Sequence, residues 1–424
     1  MPREDQAPGV PVRRAALKLL DAVLRRGEPL EAALGGATRG LARADDRALV
    51  HALAAGVLRR LPDLDALIDS ATARPLPDDA KARMALRLAL VQTLVLGTPA
   101  HAAIATVLPL VEGGPKRLVH GVFGTLDRRG AALPPVPALP AAAAVRWEAA
   151  WGHDVVMAAA AQIAAPPALD LTLADPAETS ALAARLNGVS LAPGHVRLAE
   201  HGAIPQLEGF GEGRWWVQDL AASLPARLIG TGPGRALDLC AAPGGKTLQL
   251  AAAGWQVTAL DNAESRLARL RDNLARTGLA ADVVAADALH WAPDAPFDAV
   301  LLDAPCSATG IFRRHPEVLH RVRPGQIAEL ASLQQRLLRR AADWVKPGGR
   351  LVYATCSLER DEGEYQLADF LAARGDYRLV PPTAAELPTG IAATDEGGLR
   401  LLPGTLAEAG GCDGFFIARL ERTG

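Results

Sequence analysis

Two cysteines stand in short cassettes that can do covalent chemistry: Cys306 in Asp303-Ala304-Pro305-Cys306-Ser307, and Cys356 in Thr355-Cys356-Ser357. Each cassette follows an apolar run that reads as a strand. A thiolate adding to C6 of a cytosine makes C5 enamine-like, able to take a methyl group from a sulfonium donor; loss of the C5 proton then expels the cysteine. One thiol would form the bond to the ring and the other would help break it. Such a thiolate needs nearby positive charge, and the ring needs a proton at N3. Asp303 is placed to donate there if its site keeps the carboxyl protonated, and Lys246 would supply charge to Asp303 or to the nucleophile.

Between the two roles a nucleotide-sized cofactor must sit. Asp238-Leu239-Cys240-Ala241-Ala242-Pro243-Gly244-Gly245-Lys246-Thr247 places a glycine turn between an apolar run and a helical pattern. Such a turn lets the backbone approach a ligand, and the helix after it favours negative charge at its start. Asp261, after the next strand, is placed to accept from ribose hydroxyls, and Asp287, after the third, to meet an adenine amino group. A P-loop is excluded because the glycine it requires is replaced by Cys240, and the dinucleotide pattern G-x-G-x-x-G is absent. We assign the cofactor to Cys240, Ala241, Ala242, Pro243, Gly244, Gly245, Lys246, Asp261, Arg266, Asp287 and Asp303.

A base in a duplex must leave the stack before it can be attacked. Ile311-Phe312-Arg313-Arg314-His315-Pro316, directly after the Cys306 cassette, offers an apolar wedge in Phe312 and phosphate contacts in Arg313, Arg314 and His315. The competing reading is a charged loop with Phe312 in the core. Cys240 and Cys412 read as small buried hydrophobes, Cys240 with a backbone role beside the cofactor.

The elements that position these residues fall into two styles. Residues 12–130 are helical throughout: Val12, Ala16, Leu19, Leu20 and Val23 form one stripe, and Leu49, Leu53, Val57 and Leu58 another. Pro75-Leu76-Pro77, Gly97-Thr98-Pro99 and Gly113-Gly114-Pro115 punctuate them. This gives an all-α domain over 1–130, followed by an Ala/Pro-rich linker over 131–144 and a small α/β adaptor over 145–230. From 231 to 424, strands at Arg235–Leu239, Gln256–Leu260, Asp282–Ala285, Ala299–Leu302, Arg350–Ala354 and Phe415–Leu420 alternate with helices. That alternation predicts a Rossmann-like α/β domain with a mostly parallel, seven-stranded sheet. Ligands then bind beyond the carboxyl ends of the strands, where every cassette above lies.

A chain of 424 residues with 50% apolar content and a net charge of −2 is neither disordered nor uniformly basic. Residues 1–130 nevertheless hold 19 Lys/Arg against 14 Asp/Glu, a balance of +5 suited to a phosphate backbone. Four scattered cysteines exclude a disulfide framework, and no cysteine–histidine cluster suggests a metal. Met1–Val12 lacks an apolar leader and no apolar stretch reaches membrane-spanning length, so a cytoplasmic protein is expected; separately, a monomer is expected.

These cassettes, in this order, resemble the RNA 5-methylcytosine methyltransferases of the Nol1/Nop2/Sun (Fmu) family, from about Trp215 through Asp413-Gly414-Phe415-Phe416. The resemblance implies S-adenosylmethionine as methyl donor. It also implies that the Thr-Cys thiol, here Cys356, attacks and the Pro-Cys thiol, here Cys306, assists release. Gly97-Thr98-Pro99-Ala100-His101 and Lys116-Arg117-Leu118-Val119-His120-Gly121-Val122 resemble a NusB-like RNA-binding domain, a pairing similar to bacterial small-subunit (16S) rRNA methyltransferases. The chain departs from the family near Leu171–Asp175, where Arg and Asn are usual, and at Gln218–Ser223. Those departures bear on the adaptor's RNA contacts. The alternatives are a tRNA cytosine-C5 methyltransferase and a non-catalytic RNA-binding or antitermination factor; the two cassette cysteines argue against the latter.

Overall fold

A computed structural model describes residues 8–424; residues 1–7, which begin the stretch read as lacking a leader, lie outside it. The chain divides into two compact units, one running to Pro166 with Phe312–Arg321 added, the other formed by Pro167–Ile311 and Val322–Gly424.

The first unit is helical: α1 (Val10–Leu24), α2 (Leu30–Ala37), α3 (Ala44–Arg59), α4 (Leu61–Ser70), α5 (Lys81–Leu94), α6 (Ala100–Val107), α7 (Gly113–Arg128), α8 (Ala141–Trp151) and α9 (His153–Ile163). The α1 stripe is fully used, with Val12, Ala16, Leu19, Leu20 and Val23 all in the core. Each buried Leu or Val contributes roughly 1.5–3 kcal/mol, which is what orders short helices that are marginal alone. Two arginines enter this core with their charge met: Arg87 grips Asp65 through two bonds of 2.8 Å, and Arg83 reaches Asp69 at 2.6 Å. The segment Ala131–Pro140 is tied down by Arg60 Nη1 donating to the Pro134 carbonyl at 2.8 Å and by the Ala138 amide donating to Asp63. Two helices and not one form between Pro140 and Ala164, because Gly152 takes φ 86° and ends α8. Their buried Trp147 and Ile163 belong to this unit, which runs to Pro166.

The second unit holds two sheets. Strands β1 (Leu169–Leu173), β2 (His195–Leu198) and β3 (Trp215–Val217), with α10 (Thr179–Arg185), form an antiparallel sheet in the order β2-β1-β3. This is the adaptor, and it shares one compact unit with the catalytic sheet. After α11 (Leu220–Ile229) come β4 (Arg235–Leu239), α12 (Gly245–Ala252), β5 (Gln256–Asp261), α13 (Glu264–Thr277), β6 (Asp282–Ala285) and β7 (Phe297–Asp303). The one-turn α14 (Val318–Arg321) lies in the helical unit. Then α15 (Pro324–Asp343), β8 (Val345–Thr355), α16 (Glu364–Ala373), β9 (Tyr377–Leu379), β10 (Leu399–Leu401) and β11 (Phe415–Arg422) complete the chain.

The large sheet runs β10-β11-β8-β7-β4-β5-β6, with β9 added on β11. It has eight strands where seven were expected, because Tyr377–Leu379 pairs with the end of β11. The five strands β8, β7, β4, β5 and β6 are parallel, and β11 closes antiparallel on β8. Along β7 the side chains alternate between two buried faces: Val300 and Leu302 pack towards α15, Ala299 and Leu301 towards α11. A strand buried on both sides reads as a continuous apolar run. The parallel arrangement brings the carboxyl ends of β4, β5, β7 and β8 to one edge.

Candidate active site

At the end of β4 the chain turns sharply. Cys240 takes φ 60°, the Ala242–Pro243 bond is cis, and Gly244 caps α12 at φ 109°. A Cβ on Gly244 would run into Leu270, so the turn requires glycine for both its dihedral and its close approach. The Ala241 amide donates to the Leu260 carbonyl at 3.1 Å, which carries the ladder pairing of β5 into the turn.

Asp261 ends β5 and is 1% exposed. Its carboxylate accepts from the Ala242 amide at 3.2 Å, the Ala263 amide at 2.9 Å and Arg266 Nη2 at 2.8 Å. Asp261 therefore locks the glycine turn to the next strand, and Arg266 touches the site through it. Asp287 is half exposed and accepts from the Leu289 amide and from His290, both at 2.9 Å. The Leu289 amide, then His290, hold its carboxyl below the usual range. Between these residues opens a cavity of about 180 Å³, lined on the polar side by Asp261, Asn262, Arg266 and Asp287, and on the apolar side by Leu260, Ala288, Pro305, Leu333 and Leu337. One wall suits hydroxyls and an amino group, the other a flat apolar ring.

Beneath the turn, Asp238 is fully buried and accepts from Thr247 Oγ1 at 2.5 Å. Burial pushes its carboxyl up to about 7. Cys240 is pushed above the usual thiol range by burial and by the surrounding carboxylates, so it stays protonated.

The structure brings the two cassettes together. Because β7 lies beside β8 with Asp303 opposite Ala354, the loops after both strands leave side by side. Sγ of Cys306 and Sγ of Cys356 are 3.4 Å apart, and both residues are partly exposed. The Cys306 thiol is pushed well up, first by its hydrogen bond to Cys356, then by burial. The two thiols lie within hydrogen-bond distance, and either sulfur can donate to the other. Lys246, in the first turn of α12, donates from Nζ to Asp303 Oδ2 at 2.7 Å. Burial pushes Lys246 down but Asp303 pushes it up further, and a charge on Cys356 adds to the rise.

The segment after the Cys306 cassette differs from expectation. Phe312 is 1% exposed and its ring lies 5.5 Å from that of Trp147 in the helical unit, so it is core and not a wedge. Arg313 is buried, with its carbonyl accepting from Arg59 Nη2 at 2.7 Å, and His315 Nδ1 lies 3.6 Å from Glu317. Arg314 is half-buried in the same segment. A large aromatic among charges satisfied its packing before its surface role.

Other residues at the site escaped the sequence reading. Gly310 donates to the Cys356 carbonyl at 2.9 Å and its own carbonyl accepts from Gly414; a Cβ there would strike that backbone. The Gly414 of Asp413-Gly414-Phe415-Phe416 was the available signal. Glu362, buried behind both cassettes, gave none. Among the described residues no group of three or more His, Cys, Asp or Glu could hold a metal, and no helix is long and apolar enough to cross a membrane.

A five-stranded parallel core with a glycine turn and acidic strand ends defines an α/β methyltransferase domain, here joined to a helical domain. A family described as "16S rRNA methyltransferase RsmB/F" matches residues 231–421, and the "NusB family" matches residues 10–115. The "Ribosomal RNA small subunit methyltransferase B" of Xanthomonas campestris pv. campestris is 37% identical, over 99% of each chain. The crystal structure of PH0851 aligns with a TM-score of 0.74 at 23% identity, over 98% of this chain and 99% of that one. NSun6 from Pyrococcus horikoshii with SFG aligns with a TM-score of 0.58 at 17% identity, over 67% of this chain and 98% of that one. Both structures show the shared fold. The chain belongs to the RsmB/F family of 16S rRNA methyltransferases, with a NusB-family region at its amino end.

Proposed function

We propose that this enzyme methylates C5 of a cytosine in 16S rRNA through a covalent bond between Cys356 and C6. The observation that carries the reading is the pair of sulfurs 3.4 Å apart beside the Lys246–Asp303 pair. In this reading Cys356, with Cys306 beside it at 3.4 Å, is the thiol that attacks. Lys246 donates to Asp303 at 2.7 Å, and in this reading the pair supplies a proton to N3 as negative charge develops on the ring. Once C5 carries the methyl group, a base takes the C5 proton, the C5–C6 double bond re-forms as the C6–S bond breaks, and Cys306 stands ready to protonate the leaving Cys356 thiolate.

The cavity walls fit S-adenosylmethionine: Asp261 with Arg266 on the ribose side, Asp287 by the adenine, Leu260, Ala288, Leu333 and Leu337 against the ring, and the Cys240–Lys246 turn near the amino-acid end. When bound, the sulfonium supplies an electrophilic methyl group. The domain limits we propose are a NusB-like RNA-binding region over 1–130, a linker over 131–144, an RNA-contacting adaptor over 145–230 and the catalytic domain over 231–424, acting as a monomer in the cytoplasm.

The test is a Cys306→Ala enzyme expressed in cells, run on a denaturing gel beside the Cys306→Ala/Cys356→Ala double variant. A slow-migrating protein–RNA adduct in the first and not the second is expected, with 16S sequence in the trapped RNA. An adduct that persists in the double variant would overturn the choice of nucleophile.

A further inference from the structure

Behind the two cassettes lies a carboxylate with no exposure at all, Glu362, in the turn after β8. Its Oε1 accepts from the Ser307 amide at 2.9 Å and from Gln334 Nε2 at 3.0 Å. Its Oε2 accepts from the Ser357 hydroxyl at 2.5 Å and from the Ser307 hydroxyl. Ser307 and Ser357 each directly follow a cassette cysteine. The backbone of Glu362 is fixed as well: its carbonyl accepts from Tyr353 Oη at 2.8 Å and Thr355 Oγ1 at 3.0 Å, both on β8. Gln334 also donates to the Pro305 carbonyl at 2.8 Å, which ties α15 to the residue before Cys306. One side chain thus joins two loops that lie 50 residues apart in sequence.

We infer that Glu362 is the positioning residue that sets the distance between the Cys306 and Cys356 thiols, and so the passage from covalent adduct to release. This rests on the reading of Cys356 as attacker and Cys306 as the thiol of release. The geometry argues for it in three ways. The bonds go to the residue next to each sulfur, where a small shift moves the sulfur itself. Among the described residues no cation touches the carboxylate; its partners are four neutral donors, so its contribution here is directional and not a salt bridge. The site is also costly: burial pushes the carboxyl up despite those four bonds. A buried acid of this kind would be replaced by an apolar residue if packing alone were required.

The test separates placement from charge and from general stability. In Glu362→Gln the amide oxygen can keep the Ser307 amide and Gln334 bonds, while the amide NH2 donates to both serine hydroxyls, which turn their own protons towards Thr309. In Glu362→Ala all four bonds are lost. With a 16S rRNA transcript and S-adenosylmethionine, Glu362→Ala is expected to lower kcat about 10- to 100-fold, with KM for RNA and cofactor affinity unchanged, and Glu362→Gln to restore most of the rate. A second measurement needs no turnover: the equilibrium between the Cys306–Cys356 dithiol and its disulfide in a glutathione buffer, read by mass spectrometry. Each disulfide formed consumes one oxidised glutathione and yields two reduced. Glu362→Ala should lower that constant about tenfold or more, and Glu362→Gln should leave it near wild type.

Wild-type kcat and an unchanged disulfide constant in Glu362→Ala would overturn the inference. So would a joint loss of rate and cofactor affinity with the disulfide constant intact, which is general loosening, or a Glu362→Gln enzyme as impaired as the alanine variant. Should Glu362→Ala fail to fold, Ser357→Ala removes the bond from the Cys356 cassette and the same outcomes apply. If the wild type transfers no methyl group to RNA, the functional reading fails, and the disulfide constant alone decides the clamp.

Discussion

In the three-stranded sheet, Asp170 is fully buried and meets Arg197 through two bonds of 2.7 Å, with His195 at 3.4 Å and the Leu220 amide at 3.0 Å. In the large sheet, Asp238 is equally buried and accepts only from the Thr247 hydroxyl, while Glu362 meets only neutral donors. The consequences have opposite signs. Burial pushes Asp170 up, but Arg197 and His195 push it further down, well below the usual carboxylate range. Burial wins at Asp238 and Glu362, and both rise. The adaptor sheet uses a charge pair as a structural staple. In the large sheet's unit Asp238 and Glu362 are left to neutral donors, while Asp261 and Asp303 nearby meet Arg266 and Lys246.

The contrast predicts that substitutions in one region move rate and in the other move stability. Cys356→Ala should lower methyl transfer on the order of 10⁴- to 10⁶-fold, while its urea midpoint stays at the wild-type value. A destabilisation matching that of an adaptor variant would erase the distinction. Asp170→Asn should leave kcat per folded molecule alone but cost about 3–5 kcal/mol, read by urea titration. Because the folded pKa of Asp170 is depressed, its contribution is present above the ordinary Asp range and fades as pH falls below it, so the penalty should shrink in acid.

Asp238 should behave in the opposite sense. Its carboxyl is raised from 3.8 to about 7, so the wild type loses stability as pH rises from the ordinary Asp range to about 7. Asp238→Asn, which keeps an acceptor for Thr247, should flatten that fall and melt higher than wild type above neutrality. Thermal melts across that range check it; parallel curves would mean Asp238 titrates normally. The smallest effect is expected at the turn. Gly244→Ala meets both φ 109° and Leu270, a cost of about 1–3 kcal/mol, and calorimetry should show weaker S-adenosylmethionine binding.

Much of this was legible in the residues. Strands Arg235–Leu239 and Asp282–Ala285 have the bounds expected from their residues. Their signals are local: a short apolar run, then a glycine, proline or aspartate. The helical stripes of α1 and α3 were legible for the same reason. Phe312 was not, because its neighbours Arg313 and Arg314 carry a surface signature while its partner Trp147 lies 165 residues upstream, beyond any periodicity. The short β9 was missed because three residues, Tyr377–Leu379, form a strand only when β11 is there to pair with them.

By itself, then, the sequence singled out candidate groups for chemistry and put them at strand ends: two thiols, a lysine, an aspartate and a glycine turn. Spacing along one chain is enough for that, since turn and strand preferences act within a few residues. Only the tertiary structure decided that the sulfurs of Cys306 and Cys356 meet at 3.4 Å, that Lys246 reaches Asp303, and that Glu362 holds both cassettes from behind. Those contacts follow from the placing of β7 between β4 and β8 and from the register that sets Asp303 opposite Ala354. Register is a property of paired strands, fixed by how two buried faces pack, and no single segment carries it.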